Sequence, residues 1–216
     1  MGLKERKQRE REERKRLILN ATRELLFEKG LTAASINQIA KRAEIGVGTI
    51  YFYYRNKEEL FATLQEEGLQ LLHQKIMEAG SRTDGAPQRL TGMAQAYLDF
   101  SEHHKRYFDI ISYFLSQPEV MFSVEVKRKV DRQGDRIIAD VEAVIRTGLE
   151  DGSFRNVEPR KSAIMFWATL HGLVQMKKMQ ETILANDDYD VMFRYAVQQF
   201  IAGLTAPLDN IGQMPE

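Results

Sequence analysis

Residues 35–54 read SINQIAKRAEIGVGTIYFYY, and this stretch decides the fold. Ser35-Ile36-Asn37-Gln38 is a helix-opening capping box, with the serine hydroxyl as cap and Gln38 reaching back to it. Ile36, Ile39, Ala40 and Ala43 follow at i, i+3, i+4 and i+7, one face of a short helix. Glu44-Ile45-Gly46 is too brief to be anything but a turn. A second short helix is predicted from about Val47 to Tyr54. Two short helices across a tight turn have the form of a helix-turn-helix.

That motif makes physical demands that the stretch meets. Ala40 is small where two helices must touch. Ile45 and Ile50 are the apolar locks that hold the turn and second helix on the first. The second helix must open on a turn slim enough to enter the major groove of a duplex, and Gly46, Val47, Gly48 and Thr49 are slim. Thr49 can also touch a thymine methyl or a polar base edge. Tyr51-Phe52-Tyr53-Tyr54 places four aromatics about 100° apart in turn, sweeping nearly round the helix, so a three-helix unit cannot bury them all. Tyr54, four residues after Ile50, belongs to the core. Tyr51 and Tyr53 each carry a hydroxyl suited to phosphate, with core packing as the alternative. Lys57 opens the next helix, where the dipole already favours an anion, or is an ordinary surface lysine.

Outward from the motif the chain reads as helix nearly throughout. Upstream, Ile18, Ala21, Thr22, Leu25 and Leu26 share one face, and Gly30 closes that helix just after Lys29. Downstream, Asn56-Lys57-Glu58-Glu59 caps a long helix through Leu60, Phe61, Leu64, Leu71 and Ile76, to about Ala79. Pro87, Pro118, Pro159 and Pro207, with turns at Thr83-Asp84-Gly85 and Asp151-Gly152, divide the remainder into helical segments of about 87–103, 104–116, 119–149, 159–181 and 188–204. No run alternates as a strand does, so the expected class is all-α. The expected domains are 1–56, within which 1–16 form a charged extension, a connecting helix 57–79, and a body over 80–210.

The chain has 216 residues, with 31 Lys plus Arg against 31 Asp plus Glu. At 43% hydrophobic and 29% charged residues this is the composition of a globular chain, not a disordered one. The absence of cysteine excludes disulfides, thiolate metal sites and a cysteine nucleophile, and fits a cytoplasmic location. No apolar run reaches membrane-span length, no signal core opens the chain, and Arg6 stands where a lipidation motif needs Ser or Thr. The zero balance conceals an asymmetry. Residues 1–60 hold 14 Lys or Arg against 9 Asp or Glu. A basic quarter on an acidic remainder points one end at a polyanion. For residues 1–16 a solvated helix laced by Glu10–Arg14 and Glu12–Arg16 pairs is the equal alternative.

From Thr32 to Leu64 the sequence resembles the DNA-binding domain of the tetracycline-repressor (TetR) family of bacterial regulators. The likeness rests on Ile39-Ala40, Ala43, Ile45-Gly46-Val47-Gly48-Thr49-Ile50-Tyr51, Tyr54 and Asn56-Lys57-Glu58-Glu59-Leu60. The resemblance implies base-edge roles near Val47, Gly48 and Thr49, and phosphate roles for Ser35, Tyr51, Tyr53 and Lys57; Gly46 completes the candidate DNA contacts. Two departures stand out. Glu44 occupies a turn position where the family usually has Gly, and Tyr53 replaces a usual His. Further on, Gly148 to Arg155, Pro159 and His171-Gly172-Leu173 are similar to C-terminal halves of family members. There a helical bundle binds a small molecule, and the last two long helices pair in a dimer. The resemblance therefore implies a homodimer through about 159–181 and 188–204. Ala168 and Gly172 would allow close approach there, or pack internally.

An apolar effector pocket is the expected ligand site, and its candidate lining is Tyr97, Phe100, Phe108, Tyr113, Phe114, Phe122, Phe166, Trp167 and His171. Roughly one in three such residues would line a cavity, the rest being core. A greasy or aromatic effector is expected, with a tyrosine or His171 orienting it. A search for chemistry is negative: His73, His103, His104 and His171 form no i, i+4 metal pair, Gly46-Val47-Gly48 lacks the following Lys of a phosphate loop, and no nucleophile elbow occurs. No enzyme, metal or cofactor is expected. The expectation is a ligand-responsive regulator, most simply a repressor released from a palindromic double-stranded operator. A helical adaptor without a DNA role, or an activator of the same fold, is the alternative.

Overall fold

The computed structural model describes residues 2–30, 34–81, 85–116, 124–184 and 188–205. Among these there is no strand, and the fold is all-α. The helices are α1 (Leu3–Lys29), α2 (Ile36–Arg42), α3 (Val47–Tyr53), α4 (Lys57–Gly80), α5 (Ala86–His103), α6 (Lys105–Ser116), α7 (Val124–Glu150), α8 (Pro159–Met176) and α9 (Tyr189–Thr205). The chain divides into two compact units, one of residues 1–70 with 104–132, the other of 71–103 with 133–216.

The first unit is built on the stripe predicted for α1. Ile18, Ala21, Leu25 and Leu26 are buried with Ile39, Ala40, Ile50, Tyr54, Leu60, Phe61 and Leu64. Ile110 and Phe114 of α6 complete this core. A polar knot ties three of its helices. The Arg23 guanidinium donates to Glu67 at 2.7 Å and to the Tyr107 hydroxyl at 3.1 Å, and that hydroxyl donates to Glu67 at 3.2 Å. Gly68 permits the close approach of α6, since a Cβ there would lie 3.0 Å from Tyr107.

In α1 the local electrostatics differ from expectation. Glu10 pairs with Arg6, at 2.9 Å, not with Arg14, and Glu12 takes Gln8 and Lys15, not Arg16. Both choices remain on the exposed surface, where such pairs are nearly interchangeable in energy.

The second unit packs α5 against α8 and α9. Its core includes Leu90, Met93, Tyr97, Phe100, Ile137, Val141, Ile145, Phe166, Leu170, Phe193 and Val197. The Gly148–Arg155 motif has a clear mechanical use. After α7 the chain turns through Gly152 at φ 76°, and the Phe154 ring folds back onto Gly148, where any Cβ would collide with it. Arg155 then holds the end of α9, its backbone N–H on the Leu204 carbonyl at 2.8 Å and its Nε on the Gly203 carbonyl at 2.7 Å. The α-helix expected to reach 181 stops at Met176 and continues as a 3-10 turn, Lys177–Met179. There Lys177 is drawn to Glu102 and over the Tyr189 ring.

Candidate nucleic-acid interface

The predicted capping box opens α2: the Gln38 N–H donates to the Ser35 hydroxyl at 3.3 Å, and Gln38 Oε1 accepts the Ser35 N–H at 3.2 Å. Across the turn the Ile45 N–H returns to the Ala40 carbonyl at 3.0 Å. Glu44 is the non-glycine residue with positive φ among the described residues, at 54°. It takes the left-handed conformation that glycine adopts without penalty. On the far side of α2, both guanidinium Nη atoms of Arg42 donate to Glu28 of α1 at 2.6 Å. That fork holds the Glu28 carboxyl below its ordinary range.

These contacts fix α3 by its inner face and leave its outer face free. Ile50 is fully buried and Tyr54 nearly so. Gly46, Val47 and Gly48 are exposed, Thr49 is half-buried, and a Cβ at Gly48 would meet nothing. Tyr51 is 53% exposed and Phe52 76%. Phe52 has no role in the sequence expectation, although the 100° sweep of four aromatics already required one to face out. Tyr53 is half-buried, edge-on to Phe52 at 5.1 Å, and faces a cleft bordered by α1 and α4.

Lys57 and Ser35 are also in place at this end of the unit. Asn56 caps α4 by accepting the Glu59 N–H at 2.8 Å, while Glu59 accepts the Arg55 N–H at 2.6 Å. Lys57 therefore sits in the first turn, its ammonium 5.1 Å over the Phe61 ring. Ser35 is exposed beyond its cap bond.

The expected effector residues separate into two groups. Phe108 and Phe114 are buried, and Tyr113 half-buried, in the first unit; Tyr113 and Phe114 are edge-on at 5.1 Å. Tyr97, Phe100, Phe166, Trp167 and His171 belong to the second unit, and Phe122 lies outside the described residues. Within that second group a polar line forms. The Tyr97 hydroxyl lies 2.8 Å from His171 Nδ1, and Gln175 Nε2 lies 3.4 Å from His171 Nε2. Trp167 stands edge-on to Tyr97 at 4.9 Å. Burial pushes the Tyr97 hydroxyl up and the His171 imidazole down, so both are neutral near pH 7. On α8 and α9 a run of apolar and small residues is uncovered: Ile164, Met165, Ala168, Gly172, Val191 and Tyr195. A Cβ at Gly172 would meet nothing, so among the described residues no helix packs on it.

A slim, outward-facing second helix on a capped first one defines the helix-turn-helix DNA-binding regulators. The family described as "Bacterial regulatory proteins, tetR family" matches residues 18–64, and "Tetracyclin repressor-like, C-terminal domain" matches 90–200. The chain belongs to the TetR family of transcriptional regulators, which are DNA-binding proteins and not enzymes. It is 29% identical over 155 residues to the uncharacterised regulator YhgD of Bacillus subtilis, covering 71% of this chain and 78% of YhgD. It is 28% identical to the transcriptional activator FasR of Mycolicibacterium smegmatis, over 54% of each chain. It is also 28% identical to the transcriptional repressor KstR2 of Mycobacterium tuberculosis, over 64% of this chain and 68% of KstR2. In fold it is similar to the Bacillus subtilis regulator FadR solved with stearoyl-CoA, at a TM-score of 0.64 and 19% identity over 87% of this chain and 97% of that one.

Proposed function

We propose that this chain is a homodimeric repressor that leaves its operator when an apolar effector binds the second unit. The observation that carries the reading is the exposed aromatic face of α3. A chain that buries Ile50 completely yet leaves Phe52 76% exposed keeps that face for something outside itself. Gly46, Val47, Gly48 and Thr49 would approach base edges, and Ser35, Tyr51, Tyr53 and Lys57 the phosphates. Phe52, beside Tyr51, joins them as a contact to sugar or to a thymine methyl.

The uncovered residues of α8 and α9 support pairing of two copies through those helices, with Ala168 and Gly172 at the closest approach. A dimer in the cytoplasm would then set two α3 helices about one turn of DNA apart, roughly 34–36 Å, on a near-palindromic site. In the second unit Tyr97, His171 and Gln175 supply neutral polar groups beside Trp167, suited to orient an otherwise apolar ligand. The stearoyl-CoA held by the similarly folded FadR makes a long-chain acyl-CoA the first effector to try. A ligand that binds better to a dimer with its heads misplaced shifts the population away from DNA.

The test has two steps. Selection from a library of random duplexes should return a near-palindrome. Titrating stearoyl-CoA, then oleoyl-CoA, into the complex with that duplex should release it, read by fluorescence anisotropy. A complex that both ligands occupy without any change in DNA affinity would remove the coupling. Tight DNA binding seen only with ligand present would overturn release by the effector and make the ligand a co-regulator.

A further inference from the structure

α1 begins long before the core it serves. Ile18 is the first buried residue among its described side chains, and residues 3–17 precede it, about 22 Å of helix. The buried stripe of α1 runs through Ile18, Ala21 and Leu25, a spacing of three and four. Continued toward the N-terminus, the same spacing lands on Arg14, Arg11, Lys7 and Lys4. Positions 8 and 15, which flank the stripe, are Gln and Lys. Of the acidic residues of this stretch, Glu5, Glu12 and Glu13 fall on the other side of the wheel, while Glu10 flanks the stripe beside Arg14 and is held by Arg6 at 2.9 Å. Where the periodicity of the helix calls for apolar side chains, the chain supplies cations.

These cations are available. Lys4, Lys7, Arg11 and Arg14 are exposed, and none forms an ion pair among the described residues. The acids nearby are spent on other partners: Glu10 on Arg6, Glu12 on Gln8 and Lys15, and Glu5 on the Gly2 N–H at 3.0 Å.

Direction follows from how α1 lies on α4. Arg23 is bonded to Glu67. The cleft of about 410 Å³ beside that pair is lined by Glu12, Lys15, Arg16, Leu19 and Asn20 of α1, with Glu59, Ala62, Thr63 and Glu66 of α4. All of these precede Arg23 and Glu67 in their own helices, so the two helices run in the same sense. The N-terminal turns of α1 therefore project past the end of the unit that carries Lys57 and Tyr53.

We infer that residues 4–14 of α1 form a second DNA contact, a basic stripe laid along duplex phosphates next to the segment read by α3. This rests on the DNA-binding reading above and adds the extent of the footprint to it. Four neutralised phosphates would add about 3–4 units to the slope of log affinity against log salt, because each releases about 0.9 of a counterion. Such a contact raises affinity for every sequence alike and leaves base preference to α3.

The experiment uses the full chain and a 40-bp duplex of random sequence, with anisotropy followed across a salt series. One variant carries Lys4→Gln, Lys7→Gln, Arg11→Gln and Arg14→Gln. A control carries Arg6→Gln and Arg9→Gln, on the opposite face. Glutamine keeps the helix, which circular dichroism verifies. The expected result is a slope smaller by about 3–4 units in the stripe variant and by less than one in the control, with affinity at low salt down at least tenfold in the stripe variant. Equal slopes in wild type and stripe variant would overturn the inference, and so would an equal loss in the control. Stripe-dependent sedimentation with phosphatidylglycerol–phosphatidylcholine vesicles, together with unchanged DNA slopes, would overturn it in favour of a membrane surface. A wild-type chain that binds no duplex at any salt would show that the DNA-binding reading itself has failed.

Discussion

The two units treat their aromatic and polar residues in opposite ways. In the first, α3 carries aromatic rings outward: Phe52 and Tyr51 are exposed although each could serve as core. In the second, Tyr97 and Phe166 are almost wholly buried, and from the Tyr97 hydroxyl a polar line runs outward through the half-buried His171 and Gln175. One unit exposes what a stable fold would hide, and the other conceals what solvent would welcome. Both arrangements depart from what packing alone would select, as a surface kept for DNA and the ligand site proposed for the second unit would require.

That contrast can be broken most forcefully by truncating matched rings. Phe166→Ala, in the buried interior of the second unit, should cost about 3–5 kcal/mol in urea denaturation. Phe52→Ala should change stability by no more than about 0.5 kcal/mol while weakening DNA binding. If Phe52→Ala destabilised the fold as much as Phe166→Ala, the outward ring would be structural and the contrast would vanish. Thr49→Ala comes next. It should cost about 1–3 kcal/mol of discrimination between the selected duplex and one altered at the contacted base, with unchanged stability. Uniform weakening on both duplexes would move Thr49 from base reading to phosphate contact.

Smaller effects sharpen the same comparison. Glu44→Gly should stabilise the first unit by up to about 1 kcal/mol, because the left-handed turn then carries no Cβ penalty. A loss of thermal stability there would mean that the side chain contributes more than its backbone costs. In the second unit, burial lowers the proton affinity of His171 below its ordinary value of 6.5. The unfolded chain then binds the proton more readily, so this contribution to stability is complete above about pH 6.5 and is lost as pH falls below it. His171→Gln should flatten the fall in melting temperature between pH 7.5 and pH 5.5, and an unchanged pH profile would show that the ring is not held neutral in the fold.

The pattern of these effects matches what was legible in the sequence. The helix-turn-helix was legible because its determinants are local: a capping box of four residues, a turn fixed by Glu44 and Ile45, and an i, i+4 pair in Ile50 and Tyr54. The basic extension was visible as composition, but its pairing was not, because Glu10 chooses Arg6 over Arg14 among nearly equal surface options. Phe108, Tyr113 and Phe114 read from sequence as companions of Tyr97. They fall in the first unit and Tyr97 in the second, and only long-range packing decides which unit a buried ring joins. Phe52 was missed for a related reason: the sweep of four aromatics required one to face outward without saying which.

The proposed dimer requires two copies of α3 to stand one turn of a duplex apart. Because the chain contains no cysteine, Gly48→Cys accepts a single spin label at the tip of that helix. Pulsed dipolar spectroscopy on the free protein should give a distance distribution containing roughly 34–36 Å, broadened by the reach of the label. A sample with no dipolar coupling, or one whose distances all lie far from a single helical turn both with and without DNA, would contradict that spacing.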